Sequence, residues 1–89
     1  MKFDDAKEKM SIIHKLHTAR DDESETIFYK KPYSAKTITV ITDKKHVFDL
    51  KYVTHLSLSE MGLLIQYKPV NMSNHPFPIK TIEDIIVES

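Results

Sequence analysis

Two of the chain's five histidines, His14 and His17, lie three residues apart in the segment SIIHKLHTARDDESE, residues 11–25. On a helix this spacing would let both imidazoles reach one metal ion from adjacent turns. HxxH alone is a weak metal pattern. Zinc needs a third and usually a fourth ligand, and the side chains that could add one are Asp21, His46, His55 and His75. The interpretation we favour places His17 half-buried in the apolar arc of a helix and His14 at the solvent margin of that arc.

A run of acidic side chains follows at once, formed by Asp21, Asp22, Glu23 and Glu25. The run lacks the glycine and the alternating oxygen ligands of a calcium loop. Acid also opposes the dipole at the C-terminus of a helix, so the preceding helix is expected to end near Arg20. We interpret the run as a solvated connector. The alternative is that it mimics the phosphate charge of nucleic acid and binds a host protein.

The middle third of the chain is basic, although the formal net charge of the whole is zero. Residues 26–59 carry six lysines against two aspartates. Lysines interleaved with tyrosines are typical of single-stranded nucleic-acid binders, which use cations for the backbone and rings for stacking. The residues of this candidate interface are Tyr29, Lys30, Lys31, Tyr33, Lys36, Lys44 and Lys45. The alternative interpretation is an ordinary lysine-rich surface that protects exposed strand edges.

The chain has few residues that could carry out catalysis. There is no cysteine and only one glycine. Disulfides, thiolate metal sites, cysteine nucleophiles and a glycine-rich phosphate loop are thereby excluded. The zero net charge also argues against a generic binder of polyanions. We therefore expect no enzymatic activity and no cofactor.

The sequence carries weak signals of its cellular setting. The N-terminal segment MKFDDAKEKM is charged where a secretory signal needs an apolar core, and no apolar run approaches the ~20 residues of a membrane span. Together with the missing cysteines, this predicts a cytoplasmic protein without membrane contact. Ten isoleucines against three alanines and one glycine are the usage of an AT-rich genome. The expected source is a low-GC bacterium or its phage or plasmid.

The elements that position these residues begin with an amphipathic helix predicted over residues 5–20. Asp5-Ala6-Lys7-Glu8 has the form of a capping box at the start of that helix. Apolar side chains recur with helical period on one side of the segment, which predicts that the helix covers a sheet. They are Phe3, Ala6, Met10, Ile12, Ile13, Leu16 and Ala19.

From residue 26 onward the apolar pattern changes to a period of two, which predicts strands. Strands are expected at 26–30, at 37–42 and along 48–58, the last as one bent strand or as two in phase. The only glycine, Gly62, is predicted to have positive φ at the end of a four-residue hairpin loop that begins at Ser59. The return strand carries on its inner face Leu63, Ile65 and Tyr67.

Residues 69–78, PVNMSNHPFP, form the longest irregular stretch and hold three of the four prolines. Loops carry binding surfaces more often than the elements that they connect. Beyond this loop a short strand is expected at Ile79, and residues 81–87 form either a turn and a final strand or a helix. The partner-binding residues predicted in the loop are Asn71, Asn74, His75 and Phe77.

The order of helix, acidic step and short strands resembles the small Sm-like barrels of bacterial proteins, in particular the YolD-like family and the barrel of WYL domains. In those families an I-x-Y strand opens the barrel, and a motif close to F-x-L-x-x-I-x-x-I closes it. Ile27-Phe28-Tyr29 and the segment FPIKTIEDI, residues 77–85, occupy those places. The resemblance spans residues 10–88. It implies the architecture alone and assigns no functional residue to this chain.

Length and pattern together predict a single domain over residues 1–89, with a helix at 5–20 and a strand-rich region at 26–88. The predicted fold class is α+β: an N-terminal amphipathic helix followed by a five- or six-stranded, mostly antiparallel, small barrel-like sheet. The predicted function is a small non-enzymatic interaction or regulatory module that binds a protein partner. A second copy of the chain, forming a homodimer, is among the partners considered. Nucleic-acid binding through the lysine-rich segment 30–45 is the alternative.

Overall fold

The computed structural model describes all residues from 1 to 89 and contains one α-helix, one 3-10 turn and eight β-strands. The α+β class with an N-terminal helix is confirmed, but there are eight strands where five or six were predicted. The seven-residue helix is too short to cross a membrane. The elements in chain order are α1 Phe3–Lys9, β1 Lys15–Arg20, β2 Glu25–Tyr29, β3 Thr37–Ile41, β4 Lys45–Asp49, a 3-10 turn Leu50–Tyr52, β5 Val53–Ser59, β6 Gly62–Tyr67, β7 His75–Ile79 and β8 Asp84–Glu88.

The strands form two sheets in which every neighbouring pair is antiparallel. The larger sheet has five strands in the order β1-β2-β5-β6-β7, and the smaller sheet has the order β4-β3-β8. The chain crosses from the smaller to the larger sheet at the 3-10 turn, where Asp49 Oδ1 accepts from the backbone N–H of Lys51 at 3.1 Å. The predicted segment 48–58 is therefore two strands, one in each sheet.

One core lies between the two sheets and beneath the helix. Ala6 of α1 and Met10, the residue that caps its C-terminus, belong to that core, and the turn after the helix adds Ile13. Both sheets contribute their alternate, inward side chains, as the period-two pattern predicts. The remaining buried core residues are Ile27, Tyr29, Ile38, Val40, Phe48, Leu50, Val53, Leu56, Leu58, Leu63, Ile65, Ile82 and Ile85.

The helix predicted over 5–20 is wrong in both its extent and its cap. The observed helix begins at Phe3, so Asp5 lies in its first turn instead of capping it, and no side chain caps the helix at Lys2. A tightened turn closes the helix, with Ile13 N–H donating to the Met10 carbonyl at 3.0 Å. Residues 15–20 are strand β1, and Leu16 is 60% exposed. The backbone groups of this segment pair with β2 in the larger sheet, which a helix would not allow.

The predicted positive φ of Gly62 is confirmed, with φ +126°. Ser59 pairs directly with Gly62, so the hairpin between β5 and β6 turns through two residues instead of the four that we predicted. A Cβ at residue 62 would overlap the Ile79 carbonyl oxygen and lie 2.9 Å from Lys80 Cα. Glycine is thus required here both by its φ and by the close approach of the chain after β7.

The last two strands correct the prediction for the C-terminal third. The stretch 69–78 is only partly irregular, because His75 onward is strand β7 at the edge of the larger sheet. This strand contains Pro76 and Pro78, and proline is tolerated in a sheet only where its missing N–H would face away from the neighbouring strand. Of the two alternatives for 81–87, the strand is confirmed as β8 and the helix is wrong.

Candidate functional site

The outer face of the larger sheet is the first candidate site. Its side chains alternate along the strands with those that enter the core, so they point away from the protein interior. The helix packs at the other side of this sheet, since Ala6 and Met10 belong to the core. The side chains of the outer face are His17, Ala19, Thr26, Phe28, His55, Ser57, Ser59, Leu64, Gln66, Pro76 and Pro78.

An aromatic row runs across the centre of this outer face. The His17 ring stacks on the Phe28 ring at 4.7 Å between centroids with an interplanar angle of 19°. The His55 ring meets Phe28 edge-on at 5.7 Å. A hydrogen bond of 3.2 Å joins His55 Nε2 and Ser57 Oγ, and Ser57 is only 6% exposed beneath its neighbours. The centre of the outer face is thus an ordered platform built from three strands.

The outer face contains no Asp, Glu, Lys or Arg. Because 29% of the chain is charged, several charges would be expected among so many surface positions. Surfaces of small monomeric domains carry about 25–35% charged residues. Protein interfaces, by contrast, are depleted of charge at their centres and enriched in aromatic rings. The composition of the outer face is therefore that of an interface.

A second candidate site, the basic pocket, lies between the β2–β3 loop and the 3-10 turn. The cavity measures about 600 Å³. Its walls come from the β2–β3 loop, from the adjoining ends of β3 and β4 in the smaller sheet, and from the 3-10 turn. The residues that line it are Lys31, Pro32, Tyr33, Ala35, Lys36, Thr37, Asp49, Leu50 and Lys51.

The β2–β3 loop that forms one wall of the basic pocket is held at three points. The Lys30 N–H donates to the His14 carbonyl at 2.8 Å, and the Lys36 N–H donates to the Glu88 carbonyl at 2.8 Å. Between them, Ser34 Oγ donates to the Ile12 carbonyl at 2.5 Å. A loop fixed in this way is preorganised, which lowers the entropy lost when a ligand binds.

The charges around the basic pocket are unevenly paired. Lys51 Nζ lies 3.5 Å from Asp49 Oδ2, and this carboxylate raises the pKa of Lys51 above its usual value. Lys31 and Lys36 have no carboxylate within 4.0 Å. Since Asp49 already has its cation, two lysine charges remain free to meet an anion.

Tyr33 contributes an unusual feature to the wall of the basic pocket. Its hydroxyl is buried and has no hydrogen-bond partner. Leaving a buried polar group unpaired costs about 1–3 kcal/mol. Burial raises the pKa of Tyr33 to about 12, so the hydroxyl keeps its proton at neutral pH and remains a donor. This wall therefore contains a hydrogen-bond donor without an acceptor.

The structure divides the candidate nucleic-acid residues into separate groups. Lys31, Tyr33 and Lys36 line the basic pocket. Tyr29 is only 6% exposed and cannot stack on a base. Lys30 is exposed outside the pocket, and the turn that holds Lys44 and Lys45 lies at the opposite end of β3. Sequence reasoning missed Lys51, which enters the pocket because the chain leaves its predicted strand at the 3-10 turn.

The histidine and acidic motifs also take different places from those predicted. His14 and His17 are both exposed, and His17 stands on the outer face instead of half-buried on a helix. Because residues 15–20 form strand β1, His14 and His17 do not lie on adjacent turns of a helix. Three residues of the acidic run, Asp21, Asp22 and Glu23, lie in the turn of the β1–β2 hairpin, and Glu25 begins β2. In this turn Asp21 Oδ1 accepts from the N–H groups of Glu23 and Ser24 at 2.9 and 2.7 Å.

The predicted partner-binding loop is split between a turn and a strand. Asn71 has a φ of +64° in the turn that follows β6. Asn74 is held by hydrogen bonds to Thr54 Oγ1 at 3.1 Å and to the Gln66 side chain at 3.0 Å. The other two residues belong to β7, which places them on an edge strand. They are His75 and Phe77.

No protein-family model, curated protein or solved structure matches this chain. The geometry of the outer face and of the basic pocket thus carries the functional inference.

Proposed function

We propose that this protein is a small non-enzymatic interaction module that associates with a second copy of itself through the outer face of the larger sheet. The observation that carries the proposal is a sheet face without charge and with an aromatic row at its centre. Aromatic anchors surrounded by neutral polar side chains are the usual composition of an interface centre.

The occupant that best fits the outer face is a second copy of the chain. A strongly charged partner would find no opposite charge there. The serine, threonine and glutamine side chains of the face both donate and accept hydrogen bonds, so they can pair with their own copies. A two-fold axis brings identical patches together, which is the commonest arrangement of homodimers. The charge-free composition therefore suits a symmetric contact between two copies.

The size of the outer face limits the strength of this contact. Five strands about 4.8 Å apart, each with roughly five residues of ~3.3 Å, form a face of about 20 by 17 Å. Standard interfaces bury ~800 Å² on each partner, and weak or transient ones bury less. Because the outer face is smaller than a standard interface, we expect a weak dimer that forms only as the protein concentration rises.

Self-association is tested by sedimentation of the full chain between about 5 and 500 μM. The expected result is a rise in mass from the 10.4 kDa monomer to twice that value. Phe28→Glu places a charge at the centre of the outer face and should weaken association at least tenfold. The matched control is Val47→Glu, because Val47 is 58% exposed on the smaller sheet. A chain that stays monomeric, or equal effects of the two substitutions, would refute the proposal.

The wider setting that we propose is regulatory. We propose that the protein acts in the cytoplasm of a low-GC bacterium and is encoded by that bacterium or by its phage or plasmid. Its assembly into dimers would there follow its concentration. The relationship to Sm-like barrels belongs to the same proposal and is supported by the single core shared between the two sheets. NMR contacts in solution between an edge strand of the larger sheet, β1 or β7, and an edge strand of the smaller sheet, β4 or β8, would establish strand pairing between the sheets. The absence of such contacts at both ends would argue against a barrel.

Nucleic-acid binding through the lysine-rich segment 30–45 is the second candidate function. The observation that favours it is that Lys31, Tyr33 and Lys36 line one pocket with Lys51. The dispersal of the other predicted contacts argues against a continuous interface along the segment. Any contact with nucleic acid is therefore proposed at the basic pocket.

A further inference from the structure

We propose that the basic pocket binds a nucleoside phosphate, with the phosphate between Lys31 and Lys36 and the base against the apolar part of the wall. The inference narrows the second candidate function to one ligand chemistry. It is independent of self-association, because the pocket shares no residue with the outer face.

The dimensions and walls of the basic pocket suit a mononucleotide. Pockets that bind small molecules measure about 300–1,000 Å³, and this one measures about 600 Å³. Pro32, Ala35 and Leu50 supply an apolar surface, while the lysines stand around it. A ligand that combines a flat ring with an anionic group uses both kinds of wall, whereas a simple inorganic anion uses only one.

The pairing of the charges identifies the part of the pocket that holds the phosphate. Asp49 is within 3.5 Å of Lys51, so its charge is already balanced. Lys31 and Lys36 have no carboxylate partner, and lysine binds phosphate as a point charge. Two unpaired ammonium groups beside one cavity match the charge of a phosphate monoester, which is close to −2 at neutral pH.

Tyr33 gives the pocket an unpaired hydrogen-bond donor. Its buried hydroxyl has no acceptor in the protein. Phosphate oxygens, ribose hydroxyls and base carbonyls all accept hydrogen bonds, so a nucleoside phosphate offers several partners. Because the hydroxyl is buried from solvent, a ligand reaches it only if the Tyr33 side chain shifts toward the cavity, and that contact would satisfy a group that is unsatisfied in the free protein.

The test is a titration of the ¹⁵N-labelled full chain at about 50 mM salt, where contacts between lysine and phosphate are strong. The probes are adenosine 5′-monophosphate, inorganic phosphate and a single-stranded thymidine 12-mer. We expect shifts in the pocket amides, with the monophosphate binding at least fivefold more tightly than phosphate. Tighter binding of the 12-mer would identify a nucleic-acid strand as the source of the nucleoside phosphate, and equal or weaker binding a free nucleotide. No shift with any probe at 10 mM, or equal affinity for inorganic phosphate, would overturn the proposal.

Two pairs of substitutions locate the binding. Lys31→Gln combined with Lys36→Gln should weaken binding of the monophosphate at least tenfold. The matched control is Lys44→Gln combined with Lys45→Gln, which removes the same charge at the opposite end of β3 and should change affinity less than twofold. Equal losses from both pairs would show that binding follows net charge alone, and the pocket assignment would be wrong.

Tyr33→Phe separates a ligand contact from a structural role. The change removes the unpaired hydroxyl and keeps the ring, so the thermal midpoint of the free protein should stay the same or rise. Affinity for the monophosphate should fall at least threefold at the same time. Unchanged affinity would exclude a bond between this hydroxyl and the ligand. A lower midpoint would show that the hydroxyl has a partner in the free protein, and the inference from Tyr33 would fail.

Discussion

At the scale of single residues, Gly62 allows two segments of the chain, the start of β6 and the residues that end β7, to pack closely together. Its φ of +126° is rarely adopted by residues with a side chain. The segment that leaves β7 passes so near that the Ile79 carbonyl and Lys80 Cα occupy the space of a Cβ. Residue 62 is thus restricted both by its backbone angle and by the atoms that lie next to it.

We expect Gly62→Ala to lower the free energy of unfolding by about 2–4 kcal/mol, because it adds backbone strain and an overlap with backbone atoms. Thermal or guanidinium unfolding monitored by circular dichroism gives the value. Met61→Ala is the control, since Met61 is 72% exposed in the same hairpin turn and its truncation should change stability by less than about 0.5 kcal/mol. A Gly62→Ala protein as stable as this control would contradict the steric account.

Asp21 gives a prediction about pH. Hydrogen bonds from the Glu23 and Ser24 N–H groups hold its pKa below the ordinary 3.8. A carboxyl with a lowered folded pKa stabilises the fold above its unfolded pKa and loses that effect as pH falls through the folded pKa. Asp21→Asn should therefore melt at a lower temperature than the parent at pH 7. The difference should shrink below pH 3.8 and vanish once Asp21 is protonated in both states.

Thermal midpoints of the two proteins, measured at several pH values from 7 to 2, supply the comparison. Acid unfolding by the other carboxylates affects both proteins alike, so the difference isolates residue 21. If the difference in thermal midpoint grew on acidification, the hydrogen-bonded carboxylate of Asp21 would destabilise the fold instead of stabilising it.

At the scale of elements, residues 10–20 show where a period fails to decide between helix and strand. Met10 and Ile13 fit a helical stripe, and both are buried. In the sequence pattern the helical stripe continues through Leu16, but in the structure that side chain is exposed on an edge strand. The larger sheet gains backbone hydrogen bonds along β2 when this segment becomes β1, and this pairing within the hairpin overrides the helical preference of the segment.

Paired truncations distinguish the observed strand from the predicted helix. Met10→Ala should cost about 2–5 kcal/mol, the usual range for removing a buried side chain of this size. Leu16→Ala should cost less than about 1 kcal/mol, because the side chain is 60% exposed. Guanidinium unfolding of both variants provides the measurement. Similar large losses from the two substitutions would restore the longer helix.

The strands from residue 26 onward were predictable because their apolar residues alternate. The pattern identified β2, β3 and the inner side chains Leu63 and Ile65, and the single glycine at the end of a hairpin loop indicated its positive φ. It could not show where the chain changes sheets, since alternation continues in phase through the 3-10 turn. Lys51 therefore escaped assignment to the pocket. The outer face was equally hidden, because it depends on which strands become neighbours.

At the scale of the whole molecule, the two sheets depend on the same core. Val40 and Ile85 enter it from the smaller sheet, and Leu58 and Ile65 enter it from the larger one. Neither sheet has a separate core to keep it folded alone. Small domains built around one core usually unfold in a single transition.

We expect the two sheets to unfold together. Ile85→Val, a substitution in the smaller sheet, should cost about 0.5–1.5 kcal/mol and shift the midpoint everywhere in the protein by the same amount. Near-ultraviolet circular dichroism reports on tyrosines of the larger sheet such as Tyr29 and Tyr67, and the far-ultraviolet signal reports on all strands. Guanidinium curves from the two signals should coincide for both proteins. Separate midpoints would reveal sheets that unfold independently.

The prolines of β7 set a limit on fibre growth. The N–H groups that would face a new strand belong to positions 76 and 78, and proline has none at either position. An incoming chain would meet carbonyl oxygens alone and could not form a ladder along that edge. β1 is the edge of the larger sheet without proline, so strand addition there would join two molecules and then present a proline edge at each end. The larger sheet can thus be extended once but not propagated into an endless filament.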